Sequence, residues 1–446
     1  MAATTTSRGS WGSSFGFILA AAGSAIGLGN IWGFPYKASQ SGGAAFVALY
    51  LICVLIVGIP VMFAELSIGR STQKSPVSAF RALAPRSAWW LVGAQGVLSG
   101  FCILAFYSVI AGWTLGYLYM AITGRFTAGV SLEQSEAMFD GLRGNPAVVV
   151  LWTGGFFVLS ILVVRGGVHG GIERASRVLM PVFFFLLVGL AVRATTLEGG
   201  AAGVHFLFNV DFSKVTADVV LDALSQAFFS MSLGMGAMIT YGSYLARREN
   251  LPRAGLTVGL SDTAIALLSG LMIFPALFAA GATPTEGPGL VFVVLPTIFD
   301  AMPAGVAFAV AFYALLVIAA LTSSISLLEV ITAFFVDELR WGRERAVWLF
   351  GGVCFALAVP CALWSGFMDL LIMIFFDYAL LVGGLFICLF VGWRWKPAGA
   401  IAEMRAEGRS FPGLSGWGLL IRFFCPVVIA IIIANQLWSA LKPAGQ

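Results

Sequence analysis

Groups that suit a hard cation are concentrated where two long apolar stretches are interrupted, at residues 23–30 (GSAIGLGN) and 232–236 (SLGMG). A glycine-rich helix break at membrane depth frees backbone carbonyls, which must then be buried in protein or line a polar cavity. The oxygens offered there are the backbone carbonyls of Gly23, Ala25 and Ile26, the amide of Asn30 and the hydroxyls of Ser230 and Ser232. Such a set suits Na⁺, since hard cations prefer oxygen ligands.

Other apolar stretches add oxygen-bearing side chains, namely Asp262 and the run Thr322-Ser323-Ser324. A carboxylate inside an apolar span is costly and marks function by default. A lone Ser or Thr there usually hydrogen-bonds to its own helix, so spacing alone assigns none of the three hydroxyls to an ion. For Glu65, also within an apolar stretch, we favour a structural role over ion binding. Its expected partners are free N–H groups of an unwound segment.

Each interruption also creates the N-terminus of a half-helix, which we expect at Gly27 and near Gly234. Free N–H groups and a positive dipole end suit an anionic group such as the carboxylate of a substrate. Glycine-rich breaks at matching positions of two halves are typical of a midplane binding site in a secondary transporter.

The elements that must position these residues are membrane helices. The 446 residues are 59% hydrophobic and only 10% charged, whereas soluble proteins carry about 25% charged residues. A membrane-spanning helix needs about 20 mainly apolar residues. We predict eleven spans, near residues 14–36, 43–69, 89–123, 147–164, 175–195, 218–245, 255–281, 303–335, 346–364, 367–393 and 416–440. The predicted fold class is therefore an all-α membrane protein.

One transmembrane domain, residues 1–446, accounts for the whole chain, because the polar segments near 124–146, 196–217 and 394–415 are only loop-sized. Five spans in each of the regions 14–195 and 218–393 form plausible repeats of opposite topology. The helix at 416–440 is then peripheral. The proline-containing segment 282–302 is expected to be a structured outer loop that dips toward the pore.

Basic residues predict the orientation, because Lys and Arg are enriched in cytoplasmic loops. With a cytoplasmic N-terminus, only six of the 25 basic residues lie outside: Lys37, Arg125, Arg143, Arg193, Lys214 and Lys442. An odd number of spans places the C-terminus outside. The light charge and the many Ala and Trp residues suggest a bacterial inner membrane.

Several classes of function are disfavoured. The net charge of +4 reflects the topology rather than a nucleic-acid partner. The six cysteines lie in apolar stretches at unrelated spacings, which argues against both a disulfide framework and a zinc site. The two histidines fall in loops on opposite sides, and no nucleophile–base pair indicates an enzyme.

Several motifs resemble the neurotransmitter:sodium symporter family, and above all its bacterial amino-acid members. They lie at residues 17–20 (FILA), 29–32 (GNIW), 34–36 (FPY), 42–46 (GGAAF) and 58–60 (GIP), followed by Glu65 and residues 69–70 (GR). Residues 228–236 (FFSMSLGMG) and 321–324 (LTSS) resemble the family's sixth and eighth spans. The resemblance covers about residues 8–395 and implies the leucine-transporter-like fold, with two inverted five-helix repeats and unwound helices 1 and 6.

The resemblance implies two sodium sites and a substrate site. The first sodium would be bound by Ala25, Asn30, Ser230 and Asp262, together with the substrate carboxylate. The second sodium would be bound by Gly23, Ile26, Ala319, Thr322 and Ser323. The amino acid would contact Ala25, Gly27, Ile103, Tyr107, Phe229, Ser232, Met235, Ser324 and Leu327. Monoamine members carry Asp where this chain has Gly27, so an amino-acid substrate is expected.

The resemblance also implies two gates. Tyr107 would hydrogen-bond the substrate carboxylate and Phe229 would close over it as the outer lid. On the inner side, Arg8 and Trp11 resemble the cytoplasmic gate. Asp337 would be the partner of Arg8, with Tyr244 nearby.

The outer gate departs from the family pattern. Relatives pair an Arg in span 1 with an Asp in span 10, where this chain has Gly33 and Ile372. Asp369 and Asp377 lie near the second position in sequence. We expect outer closure to rely on Phe229, Tyr107 and packing.

Asp262 is a second departure, since relatives usually have Asn there. Tyr50, Gln226 and Ser230 match the other positions of the family's chloride site. We expect the Asp262 carboxylate to supply the negative charge that chloride otherwise provides, so that chloride is not required.

Met235 is a third departure, because some relatives have a larger aromatic residue in the pocket. With Ile103, Ala319 and Leu327 it indicates a roomy apolar pocket for hydrophobic or aromatic L-amino acids. The predicted function is therefore sodium-coupled symport of neutral amino acids by alternating access. Two alternatives stay open: a symporter of an osmolyte or small zwitterion, and an amino-acid sensor that does not translocate. The oligomeric state is left undetermined.

Overall fold

The computed structural model describes residues 9–126, 130–281, 289–301, 304–406 and 413–441. Within these ranges the chain contains helices and no strand, which confirms the predicted all-α class. In chain order the longer helices are α1 (Ser14–Ala25), α2 (Gly29–Gln40), α3 (Ala44–Thr72), α4 (Pro76–Leu83), α5 (Trp90–Ile122), α6 (Leu132–Arg143), α7 (Pro146–Arg165), α8 (Val168–Thr195), α9 (Gly200–Phe208), α10 (Ala217–Ser230), α11 (Ala237–Ser243), α12 (Leu251–Ala279), α13 (Leu290–Phe299), α14 (Gly305–Glu338), α15 (Arg343–Leu363), α16 (Ser365–Arg394), α17 (Pro397–Met404) and α18 (Leu414–Trp438).

Nine of these helices are long and apolar enough to cross a membrane, counting only described residues: α3, α5, α7, α8, α12, α14, α15, α16 and α18. Helices α1 and α2 together make a tenth span that is bent by 56°. The segment predicted as the sixth span is divided into α10 and α11, and neither half is long enough to cross alone. The observed spans therefore follow the predicted ones closely.

Both predicted breaks are present. The first lies between Ala25, where α1 ends, and Gly29, where α2 begins with a π-helical turn. The second lies between Ser230 and Ala237, and there Ser232, Gly234 and Gly236 have φ angles of 54°, 81° and 77°. Left-handed backbone of this kind ends an α-helix and is readily adopted by glycine.

Glycines allow α11 to lie directly on the backbone of α3. A Cβ atom on Gly69 would lie 2.0 Å from the carbonyl oxygen of Ile239, and one on Gly242 would lie 2.8 Å from that of Leu66. Any larger residue at either position would have to separate the two helices. This crossing sets the position of the second break relative to α3.

The loop-sized polar segments contain helices that we did not predict. Helix α6 begins with a capping box in which Ser131 and Gln134 satisfy each other's backbone N–H groups. Helix α9 lies in the segment expected to be a loop at 196–217. Of the predicted outer loop at 282–302, residues 282–288 and 302 lie outside the described ranges. Most of the described part forms α13, whose Phe292 is fully buried against Trp113 and Tyr117.

Candidate functional site

A cavity of about 590 Å³ lies between the two breaks. Its walls include eight of the nine residues expected to contact a substrate: Ala25, Gly27, Ile103, Tyr107, Phe229, Ser232, Met235 and Leu327. The ninth, Ser324, is fully buried but does not line the cavity. Ser323 and Ser326 line it instead, because they are three residues apart on the same face of α14.

The first expected sodium site is built around the buried carboxylate of Asp262. Its Oδ1 accepts a hydrogen bond from Asn30 Nδ2 at 2.7 Å, and its Oδ2 accepts one from Ser230 Oγ at 2.8 Å. Tyr50 Oη lies 3.2 Å from Ser230 Oγ. Three of the four expected ligand residues are therefore in direct contact, and the fourth, Ala25, lines the cavity beside them.

Asn30 links this carboxylate to the first break. Because its Nδ2 donates to Asp262, its Oδ1 points the other way and accepts the N–H of Gly27 at 3.1 Å. The N–H of Gly27, which we expected to be free, is therefore occupied. The neighbouring N–H of Leu28 faces Tyr107 Oη at 3.5 Å. The half-helix begins at Gly29, two residues later than predicted.

The residues expected to bind the second sodium lie where the first break meets α14. Gly23 lies against Thr322, since a Cβ atom on Gly23 would be 3.2 Å from Thr322 Cβ. Ser323 Oγ donates to the carbonyl oxygen of Ile26 at 3.3 Å. Thr322 Oγ1 donates to the carbonyl oxygen of Ala319 at 3.0 Å. Gly23 and Ile26 thus lie against Thr322 and Ser323 of α14. Ala319 lies one turn before Thr322 on the same helix.

The second break is held by two side chains. Glu65 Oε1, fully buried on α3, accepts the N–H of Gly234 at 2.7 Å. Ser232 Oγ donates to the carbonyl oxygen of Ser24 at 3.0 Å and joins the two breaks directly. The N–H near Gly234 is therefore not available to a substrate. Helix α11 begins only at Ala237, because the left-handed Gly236 precedes it.

An aromatic pair covers one end of the cavity. The ring of Phe229 stacks on that of Phe376 with a centroid separation of 4.5 Å and an interplanar angle of 8°. Phe376 belongs to a π-helical stretch of α16, Ile372–Tyr378. We did not identify Phe376 from the sequence, because one phenylalanine among many in an apolar span carries no distinguishing signal.

The opposite end, which we call the Trp11 face, is closed by an aromatic cluster. Trp11 Nε1 donates to the carbonyl oxygen of Tyr241 at 3.0 Å, and the Trp11 ring contacts Tyr241 and Tyr244 edge-on. Asp337 accepts the N–H of Ser75 at 2.6 Å. Arg8, the expected partner of Asp337, lies outside the described residues.

A buried ion pair next to this cluster was missed at the sequence level. Glu329 is fully buried on α14, and it accepts a hydrogen bond from Tyr244 Oη at 2.6 Å and pairs with Arg343 at the start of α15. Arg343 also donates to the carbonyl oxygen of Val164 at the end of α7. A glutamate in the interior of an apolar span is the signal that points to it.

The cavity lining also includes Lys37 and Asp222, at the end that we call the Lys37 face. Lys37 Nζ lies 2.7 Å from Asp222 Oδ1, and both residues line the cavity. Gly33 and Ile372, which the resemblance places at the positions of the usual gate pair, line it as well. This face therefore carries an ion pair between α2 and α10.

Comparison with known proteins gives consistent matches over nearly the whole chain. The model of the "Sodium:neurotransmitter symporter family" matches residues 8–134 and 145–444. The uncharacterized sodium-dependent transporter YhdH of Bacillus subtilis (strain 168) is 39% identical over 439 residues, which cover 95% of this chain and 97% of YhdH. An uncharacterized sodium-dependent transporter of Haemophilus influenzae is 33% identical, with 98% of this chain and 100% of that protein covered.

A solved structure is equally similar. The crystal structure of MhsT in complex with L-phenylalanine superposes with a TM-score of 0.88 and 43% sequence identity. The match covers 96% of this chain and 99% of the MhsT chain.

Proposed function

The chain belongs to the sodium:neurotransmitter symporter family, and from this premise we propose that it transports neutral, hydrophobic or aromatic L-amino acids with two Na⁺ and without chloride. It is a sodium-dependent transporter and not an enzyme. The substrate class, the two sodium sites and the independence from chloride are the proposed parts.

The observation that carries the substrate class is the apolar cavity between the two breaks. Ile103, Met235 and Leu327 give it an apolar wall, and Phe229 covers it. Gly27 offers no acid to pair with an amine at the first break, which favours a substrate that brings its own carboxylate. The L-phenylalanine complex of MhsT, at 43% identity, supports a large apolar side chain.

Sodium and substrate would be coupled through a shared ligand. The first sodium would lie among Ala25, Asn30, Ser230 and Asp262, and the substrate carboxylate would complete its shell. Each then raises the affinity of the other by the same factor, because linkage between two sites is reciprocal. The second sodium, among Gly23, Ile26, Ala319, Thr322 and Ser323, would stabilise the contact between α1 and α14.

The independence from chloride follows from the charge of Asp262. This carboxylate already places a negative charge beside Ser230 and Tyr50, where relatives with Asn have none. A second anion there would be repelled.

Alternating access would proceed around the two breaks, which divide the chain into the proposed repeats 14–195 and 218–393. The Trp11 face, closed by the aromatic cluster, would be cytoplasmic, and the Lys37 face would open outward. The predicted bacterial inner membrane and outside C-terminus agree with this arrangement.

Uptake into proteoliposomes tests the proposal. With a Na⁺ gradient directed inward, labelled L-phenylalanine should accumulate, and replacing Na⁺ by K⁺ should abolish accumulation. Unlabelled leucine and tryptophan should compete, whereas glycine betaine should not. Replacing chloride by gluconate should leave the rate unchanged.

Two other outcomes would contradict the proposal. Sodium-dependent binding without accumulation would identify a sensor, and competition by betaine alone would identify an osmolyte symporter. Loss of uptake in gluconate would refute the chloride-independent mechanism only.

A further inference from the structure

The two positions that lost the family's gate pair each have a charged residue about one turn away on the same face. Lys37 follows Gly33 by four residues in α2, so both project from one side of that helix. Asp377 follows Ile372 by five residues within the π-helical stretch Ile372–Tyr378, where one turn closes with an i→i+5 bond. All four residues line the cavity.

Lys37 is paired at present with a residue of α10. Its Nζ lies 2.7 Å from Asp222 Oδ1, and Asp222 Oδ2 accepts a hydrogen bond from Ser41 Oγ at 2.7 Å. The Lys37 and Asp222 side chains are 40% and 34% exposed. A half-exposed pair of this kind contributes only about 0.2–1 kcal/mol, so it is easily exchanged for another.

Asp377 is the complementary group on the other side of the cavity. Its carboxylate makes no hydrogen bond or ion pair with any residue that the structure describes, and it lines the same cavity as Lys37. It follows directly after Phe376, the residue that stacks on the expected lid Phe229. A movement of α16 that closes over the lid would therefore carry Asp377 as well.

We propose that Lys37 is the gating cation of this transporter, an inference that rests on the proposed function. It pairs with Asp222 while the Lys37 face is open, and it transfers to Asp377 when α16 closes over Phe229. The flexible four-carbon stem of lysine and its three rotatable donors permit such an exchange. The usual gate has thus been moved about 6 Å along α2, four residues at about 1.5 Å each.

Closure of the cavity favours the pair between Lys37 and Asp377. When α16 covers the cavity, water is displaced from around the ammonium, and opposite charges attract more strongly in the lower dielectric. The expected closure by Phe229, Tyr107 and packing therefore gains an ionic component.

A double-mutant cycle on substrate release tests the gate. Purified protein in nanodiscs would be loaded with labelled L-phenylalanine in Na⁺, and the dissociation rate would be measured after dilution. Lys37→Gln and Asp377→Asn should each speed release about fivefold, the upper end for a partly exposed pair. The double variant should release no faster than either single variant. Lys214→Gln, an exposed lysine away from the cavity, is the matched control and should not alter release.

A second variant pair separates gating from a static role. The reversal Lys37→Asp with Asp377→Lys should restore slow release, and Asp222→Asn should leave release as slow as in the wild type or slow it further. Two results would overturn the proposal. In the first, the increases in release rate caused by Lys37→Gln and Asp377→Asn multiply in the double variant. In the second, the effect of Lys37→Gln on the release rate depends only on Asp222. Wild-type protein that retains no phenylalanine in Na⁺ would refute the proposed function and the gate with it, whereas equal release from all variants would refute the gate alone.

Discussion

Replacing Asp262 by asparagine would separate the charge of the first sodium site from its shape. The amide has the size of the carboxylate, and its oxygen can still accept from Asn30 Nδ2, now 2.7 Å from Asp262 Oδ1. Its NH₂ can donate to Ser230 Oγ, which lies 2.8 Å from Asp262 Oδ2. The hydrogen-bond network is therefore preserved, and the full negative charge is lost.

The expected effect on sodium binding is large. Removing one partner of a buried, hydrogen-bonded charge pair costs about 2–5 kcal/mol. At about 1.4 kcal/mol per factor of ten, the apparent Na⁺ affinity should fall at least 30-fold. Chloride should recover part of the loss, because it can place a negative charge beside Ser230 and Tyr50.

The assay is a Na⁺ titration of labelled L-phenylalanine binding, run in chloride and in gluconate. Tyr50→Phe is a suitable control, since it removes only the hydroxyl that lies 3.2 Å from Ser230 Oγ. It should shift the affinity by less than about fivefold, as expected for one neutral hydrogen bond. If Asp262→Asn bound Na⁺ in gluconate within threefold of the wild type, the assignment of this carboxylate to the sodium site would be wrong.

Substitutions at three further positions test the helix breaks and the Trp11 face. Glu65→Gln keeps an acceptor for the N–H of Gly234 and should leave the Tm nearly unchanged, whereas Glu65→Ala leaves that buried N–H unpaired, at a cost of about 1–3 kcal/mol, and should lower the Tm by several degrees. Trp11→Phe removes the 3.0 Å indole hydrogen bond but keeps a ring, so hydrogen exchange in α1 should become faster; unchanged exchange would show that this bond does not hold the face closed. Gly27→Ala places a Cβ atom 2.8 Å from Ser323 Oγ, and since overpacking costs about 1–3 kcal/mol, binding of both Na⁺ and phenylalanine should weaken about tenfold or more. Unaltered binding by the Gly27 variant would refute the close packing of the first break.

The membrane helices and their breaks could be predicted because hydrophobic length and glycine are local signals. The segment around Gly234 and Gly236 is an example, since closely spaced glycines at membrane depth favour a break, and both have positive φ angles. Helix α6 could not be predicted in the same way. It is short and polar, and tertiary packing and its capping box stabilise it rather than an apolar run.

Individual side chains in the site were harder to predict. Ser326 lines the cavity and Ser324 does not, because of the rotation of α14 about its axis. A run of similar residues in the sequence does not predict that rotation. The N–H of Gly27 was expected to be free, but the orientation of Asn30 follows from its contact with Asp262, 232 residues away in sequence. Long-range contacts of this kind are set by the packing of whole helices.

The close crossing of α3 and α11 has a mechanical consequence. With Gly69 against Ile239 and Gly242 against Leu66, the two helices have no side-chain layer between them that could shear. In the proposed opening of the Trp11 face, Tyr241 would leave Trp11, and the 29 residues of α3 would tilt together with α11. At about 1.5 Å per residue, α3 is a lever roughly 44 Å long, so a tilt of about 5° displaces its far end by about 4 Å.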